Sequence, residues 1–336
     1  MTDQLRELVY RHAPVLNQKV NDANPRGDFI TRVDFAGPLD KTLDNWSQVI
    51  DRKNKLLAHG YYSVVETTTH YFILYAFYHG QDWYDGSFFT DKIRKKFDEH
   101  LHDMEGALAI ITKRLKHVDG PERVDAFITV SHFHFYSYAN WKESDDKLLY
   151  NDAWANRIMG YKESVDGNVW PTIDLDDHTN NRFSLYAQSR GHGIRGDRKN
   201  WGNEKKIIRY FPSKDIAEEP NESDAGYERY HDYLFQDVHY RLIDFFEDGG
   251  LWENRDNDRV FRPNNKGQDA FVEPGDDDQP VAGSANPPWG WDDTDDRHKC
   301  GELAIHPAKI VHDYFTGLRE FSLEYVHNPY VNIFKS

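Results

Sequence analysis

An apolar run, Ala107-Leu-Ala-Ile-Ile111, follows directly on the segment His100-Leu-His-Asp-Met-Glu-Gly106. A short apolar run of this kind reads as a buried strand. The segment before it carries four metal-capable side chains, His100, His102, Asp103 and Glu105. These groups therefore stand where a loop enters a sheet, and sheet backbone can hold them. Residues two apart on an extended chain share a face, so Asp103 and Glu105 point the same way. His100 is in the opposite register and joins them only if the chain bends near Leu101.

Composition narrows the partners. The chain has 336 residues and a formal charge of −16, with 57 carboxylates against 41 lysines and arginines. That balance argues against a nucleic-acid backbone and against simple docking on an anionic membrane. It suits a protein that binds cations. Aliphatic residues are few, and 20 Tyr, 20 Phe and 9 Trp supply large buried areas instead. The single cysteine, Cys300, excludes an intrachain disulfide and a four-cysteine zinc site. The N-terminal segment is charged and helix-like with no apolar core, and no stretch is long enough to span a bilayer. The expectation is a cytoplasmic protein with no signal peptide; export by a non-classical route stays open.

Along the chain, Thr2 caps a predicted helix over Asp3–His12 with Leu5, Leu8 and Val9 on one face. Ala13–Leu16 is extended, Asn21–Gly27 is loop, and a second helix is predicted over Asp44–Leu57. Paired strands are expected at Tyr61–Thr67 and Tyr71–Tyr78, rich in aromatic and β-branched residues. A short basic helix is predicted over Lys92–Phe97. Strands follow at Met104–Lys113, Arg123–Val130, Phe183–Gln188 and Lys206–Phe211. Tyr227–Phe246 has helix-like aromatic spacing, and Ile305–Leu318 reads as a late helix. Residues 253–300 are dense in Asn, Asp, Gly and Pro and carry little regular structure. The fold class is mainly β: an antiparallel, jelly-roll-like β-sandwich core with peripheral helices and long loops, in one domain. Residues 1–60 form an N-terminal helical and extended segment, 61–215 the sandwich core with the site, and 216–336 a helical, loop-rich covering region.

Two stretches carry a resemblance. Tyr75-Ala-Phe-Tyr78-His-Gly-Gln-Asp82 and His100-Leu-His-Asp-Met-Glu105 resemble the heart of the necrosis-inducing-like proteins. That family has a Tyr-Ser-Trp-Tyr-x-x-x-Asp strand end and a Gly-His-Arg-His-Asp-Trp-Glu heptapeptide. They also look like the vacuolar-sorting-associated 62-like proteins, as do Tyr10-Arg-His-Ala-Pro-Val-Leu16 and Tyr186-Ala-Gln-Ser-Arg-Gly-His192-Gly. The resemblance covers roughly residues 60 to 195. It implies a β-sandwich whose Asp82, His100, Asp103 and Glu105 hold one divalent cation, Ca2+ or Mg2+. Glu99 and Met104 replace the heptapeptide's Gly and Trp, and the loop after Asp82 is longer than the family's.

An oxygen-rich set suits Ca2+, Mg2+ or Mn2+, and its imidazole admits Mn2+, Fe2+ or Zn2+. Buried without a partner, such carboxylates cost several kcal/mol or more, and a cation removes that cost; the alternative is a solvated loop of charges. Asp82 also reads as a turn residue, with Asp85 as its substitute. His192, between two glycines, is a candidate to line the same pocket. Arg190 and Arg195 are candidates to hold an anionic group, or are surface charges.

The expected partner is a small polar ligand, a sugar, glycan or phosphate-bearing lipid headgroup. An alternative is a metal-dependent enzyme: a hydrolase with His102 as general base and Glu105 in the catalytic set, or a cupin-like oxygenase using His100, His102 and Glu105. In the oxygenase reading His132 and His134 share a strand face. A third reading is a cation that only staples a loop. The aspartates of Trp289-Gly-Trp-Asp-Asp-Thr-Asp-Asp296 and of Gly275-Asp-Asp-Asp278 read as solvated acidic loops, though either could hold Ca2+. Trp289 and Trp291 anchor the first of these on the core. Cys300 has no base beside it except His298, two residues away.

Overall fold

The computed structural model describes residues 3–35, 51–83, 100–113, 123–139, 159–160, 166–168, 182–196, 205–273, 279–280, 284–295, 298–316 and 321–334. Helix α1 (Asp3–His12) covers the predicted span and buries Leu8, Val9 and His12. The strands to residue 244 are, in order, β1 (Val15–Val20), β2 (Ile30–Thr31), β3 (His59–Thr67), β4 (His70–Asp82), β5 (His100–Thr112), β6 (Arg123–Ser131), β7 (His134–Ala139), β8 (Met159–Gly160), β9 (Gly167–Asn168), β10 (Ser184–Ala187), β11 (Ile194–Arg195), β12 (Lys206–Ser213), β13 (Glu228–Tyr230) and β14 (Tyr233–Asp244).

The fold is mainly β. The main sheet runs β11-β10-β1-β12-β14-β3-β4-β5-β6-β7-β9. Pairing is antiparallel from β3 through β7. The pairs β1–β10, β12–β14, β14–β3 and β7–β9 are parallel. At one end β11 returns against β5 and β6, so the sheet is nearly closed on itself.

Both faces of the central strands are covered. Phe72, Leu74, Leu108 and Ile128 face a core shared with Trp289, Trp291, Ile310 and Tyr314. Ile73, Tyr75, Phe77, Ala107 and Ala109 face the other core, with Leu8 and Val9 of α1, Leu16, Leu185 and Tyr210. A strand buried on both faces needs no polar alternation, which is why β4 and the second half of β5 read as continuous apolar runs. Trp289 and Trp291 do anchor the last third on this core, as their isolation in a polar loop suggests.

Three elements differ from expectation. Tyr227–Phe246 builds β13 and β14 rather than a helix. The pairing of β14 with both β12 and β3 supplies hydrogen bonds that outweigh a helix-like spacing of aromatics. The late helix is cut in two, Glu302–Ile305 and Pro307–Tyr314. Pro307 opens the second piece because its missing N–H is tolerated only in a first turn. That piece ends as Phe315 and Thr316 pair with β8. The described part of the predicted Asp44–Leu57 helix, residues 51–57, is turn and loop. Lys92–Phe97, Asp85 and Gly275–Asp278 lie outside the described residues.

Gly106 marks a contact on which the end of β5 depends. A Cβ there would stand 2.6 Å from the Trp291 ring, and closer still to the Tyr75 carbonyl oxygen. Trp291 Nε1 donates to the Met104 carbonyl at 3.0 Å, so the ring is fixed and cannot give way. Gly106→Ala is expected to destabilise the chain by about 1–3 kcal/mol through overpacking. Urea denaturation would show a lower midpoint with an unchanged slope.

Candidate functional site

At the N-terminal end of β5 the chain passes from a cleft of about 470 Å3 into the core. Asp103 and Glu105 lie two residues apart on β5 and both line it, as do Asp82, His100 and Arg190. Trp83, Phe133, Trp291, Gln188 and Asn286 complete much of the wall. The bend that the sequence required occurs at His102, whose φ is +68°, a left-handed value uncommon for a residue other than glycine. Beyond that bend His100 reaches the same cleft as Asp103.

Each acid has a definite neighbour. The Asp82 carboxylate lies 3.3 Å from His100 Nε2. His100 Nδ1 donates to the carbonyl of His102 at 2.8 Å, so both ring nitrogens carry protons. Burial opposes that charge, but the bond to Asp82 and its charge lift the His100 pKa to about 9. Glu105 Oε1 accepts from the backbone N–H of His132 at 2.8 Å. Glu105 Oε2 is buried with no hydrogen-bond partner among the described residues. Burial, with Asp103 and Asp82 nearby, holds the Glu105 carboxyl well above the usual carboxylate range. Burial likewise raises Asp82, against the opposing pull of His100.

Asp103 is held from behind. His192 Nδ1 donates to Asp103 Oδ2 at 2.8 Å, and His192 Nε2 donates to Asp28 Oδ1 at 3.3 Å. Asp28 is fully buried and also accepts from the backbone N–H groups of Arg190 (2.6 Å) and Asn21 (2.8 Å) and from Trp83 Nε1 (3.2 Å). Burial pushes the His192 pKa down, but its two carboxylates lift it to about 9. His79 stacks on His192 with ring centroids 3.6 Å apart. Burial and the neighbouring His192 charge keep His79 well below the ordinary histidine range. Its Nε2 donates to Gln18 Oε1 at 3.1 Å, and its Nδ1 is buried without a hydrogen-bond partner among the described residues. His79, Asp103 and His192 form one group whose potential ligand atoms all lie within 4.8 Å of one another, so the end of β5 has a His/Asp cluster able to hold a metal ion.

The structure therefore brings Asp82, His100, Asp103, Glu105 and Arg190 to one cleft, with His192 directly beneath Asp103. It does not bring His102 or Arg195 there. His102 turns to the opposite side of the sheet, hydrogen-bonded to the Tyr78 hydroxyl at 2.6 Å and stacked on Phe271. A general base needs reach to the cleft, and His102 has none. Arg195 lies over the Tyr136 ring and donates to its hydroxyl at 3.0 Å. His132 and His134 do not share a strand face: His132 is in the turn between β6 and β7 with φ +59°, and only His134 begins β7. The cupin-like arrangement is thus not formed. The Cys300 thiol is pushed up to about 11, chiefly by burial, which disfavours the reactive thiolate.

Asp28 and His79 are two buried members of the site that the sequence does not mark as ligands or supports. His79 sits in the middle of Tyr78-His-Gly-Gln-Asp82, two residues from Phe77 on the same strand face, and that alternation was a usable signal. Asp28 closes a short turn, Pro25-Arg-Gly-Asp28, and nothing local distinguishes it.

No family model matches the sequence, and no curated protein resembles it. Among solved structures, the chain is similar to Necrosis and Ethylene inducing Protein 2 from the causal agent of cocoa's witches' broom disease. That match has 14% identity and a TM-score of 0.27, covering 56% of this chain and 67% of that one. NLPPya in complex with glucosamine matches at 13% identity and a TM-score of 0.27, over 58% of this chain and 68% of that one. The non-toxic HaNLP3 protein matches at 14% identity and a TM-score of 0.25, over 57% and 78%. The likeness to the necrosis-inducing-like group is partial, and the functional reading rests on this chain's own residues.

The His192 pair has a pH signature. Its folded pKa of about 9 lies above the ordinary value of 6.5, so its stabilisation is complete below about pH 6.5 and is lost as pH rises through about 9. His192→Gln should flatten the fall in melting temperature between those limits, removing a contribution on the order of 3 kcal/mol. A melting curve whose pH dependence is the same in both proteins would contradict the pairing.

Proposed function

We propose that this chain binds one divalent cation at the end of β5 and uses it to recognise a small polar ligand bearing sugar or phosphate oxygens. Asp82, Asp103 and Glu105 would hold the ion, with His100 as the fourth group. The observation that carries the reading is Glu105 Oε2: a buried carboxylate oxygen at a cleft, without a hydrogen-bond partner among the described residues, beside two further carboxylates. Buried acids of like charge raise one another's pKa, and a bound cation reverses that penalty. The donor set is mostly oxygen, which favours Ca2+ or Mg2+, while the imidazole keeps Mn2+ within range.

Asp28 and His192 act as the layer behind the ion. His192 holds Asp103 by a hydrogen bond and is itself held by Asp28, which fixes the oxygen that Asp103 presents. In front of it, the cleft offers Arg190 for an anionic oxygen and Gln188 and Asn286 for hydroxyls. Trp83, Phe133 and Trp291 give apolar surface to a sugar ring. The bound ion would supply a Lewis-acidic contact to a ligand oxygen. A ligand of this chemistry appears with NLPPya as glucosamine, which makes that amino sugar a suitable first probe.

Ca2+ or Mg2+ should raise the melting temperature of chelator-treated protein and should be required for glucosamine binding by calorimetry. Glu105→Gln and Asp103→Asn should abolish both effects. Asp28→Asn, which touches no ligand, should weaken cation affinity by about 10- to 100-fold. Affinity should rise with pH, because Glu105 and Asp82 must lose protons that burial helps them keep. Glucosamine binding that persists in excess chelator would sink the reading.

A further inference from the structure

A second cluster lies on the outer side of the turn that holds Glu105. We propose that His134, Asp293 and Asp295 form a second divalent-cation site, separate from the cleft, that pins the loop after Trp291 to the β6–β7 turn. These three residues each offer one ligand atom, and the atoms all lie within 4.8 Å of one another. Two ligands about 2.0–2.2 Å from a shared zinc stand at most about 4.4 Å apart. Tetrahedral ligands of one zinc stand roughly 3.4 Å apart, so the exposed His134 and Asp295 side chains would draw in on the ion by up to about an ångström.

Asp293 is the independent observation. Its side chain is only 2% exposed. The Tyr314 hydroxyl donates to Oδ2 at 2.6 Å, while Oδ1 is buried, close to the Asp295 carboxyl and the Phe135 backbone, with no hydrogen bond of standard geometry among the described residues. A buried carboxylate oxygen left unmatched is costly, and here it belongs to a cluster of one imidazole and one further carboxylate. His134 Nδ1 stands 3.1 Å from Asp295 Oδ1, and both side chains are at least half open to solvent or nearly so, at 49% and 74%. The cluster thus has one anchored ligand and two that can adjust from the surface. An imidazole with two carboxylates favours Zn2+ or Mn2+ over Mg2+.

The backbone already couples this place to the cleft. Thr294 donates through its N–H (3.0 Å) and its hydroxyl (3.2 Å) to the Phe133 carbonyl. One residue earlier on the same turn, His132 donates its N–H to Glu105. Phe133 and Trp291 are themselves cleft walls. An ion on His134, Asp293 and Asp295 would therefore stiffen one side of the cleft without touching its contents.

The test is a Mn2+ titration of the chelator-stripped full chain, followed by the electron-paramagnetic signal of free Mn2+. His134→Gln and Asp295→Asn change exposed side chains and leave the core intact, and Asp103→Asn serves as the cleft control. His134→Gln and Asp295→Asn should each weaken one equivalent by about tenfold or more, and Asp103→Asn should leave that equivalent unchanged. That result would stand even if Asp103→Asn altered nothing, in which case the cleft reading alone fails. Titrations of His134→Gln and Asp295→Asn that superimpose on the wild type, or a wild type that binds no Mn2+ outside the cleft, would overturn the second site.

Discussion

Everything at the end of β5 follows from carboxylates placed inside a sheet that has little water to offer them. Asp103 and Glu105 share a face with Ala107, Ala109 and Ile111, which continue into a dry core. An acid in that position must be hydrogen-bonded, protonated or matched by positive charge. Two of these solutions occur side by side, and neither is complete. Asp103 takes a charged imidazole, Asp82 takes another, and Glu105 takes one backbone N–H and is left with an unmatched oxygen. The site is short of positive charge, and a divalent ion is the chemical species that supplies it most compactly.

The layer beneath explains why the arrangement is rigid. His192 bridges two carboxylates and so is charged; His79, stacked flat on it at 3.6 Å, is kept neutral chiefly by its burial and further by the His192 charge. Gln18 fixes the outer side of His79, and its own amide is oriented by donating to the carbonyls of Lys19 and Gln188. Orientation thus passes from the backbone through Gln18, His79 and His192 to Asp103. Glycines make the approach of His192 feasible. A Cβ at Gly191 would stand 2.7 Å from the His132 ring, and one at Gly193 would collide with the Ser131 hydroxyl.

Much of this was legible in the chain. The period-two argument places Asp103 and Glu105 together, and the requirement for a bend before His100 is met at His102. The aromatic and β-branched runs mark β3 to β6, and α1 falls where its cap and apolar face put it. What stayed hidden depends on partners distant in sequence. His102 reads like a cleft residue until Tyr78 and Phe271 take it to the other side. Tyr227–Phe246 has aromatic spacing that suits a helix until β12 and β3 offer it hydrogen bonds. Asp28 gains its meaning from His192, 164 positions later, and no local pattern carries that information. The pairing of His134 with the acidic loop after Trp291 is of the same kind.

The most direct measurement is proton release on cation binding. Chelator-stripped protein would be titrated with Ca2+ by calorimetry, in buffers of differing ionisation enthalpy near neutral pH. The account predicts one saturable binding event in the cleft, lost in Glu105→Gln, with net release of protons as the raised carboxyls and His100 give theirs up. Absence of a saturable heat, or binding that releases no protons and is indifferent to Glu105→Gln, would contradict it.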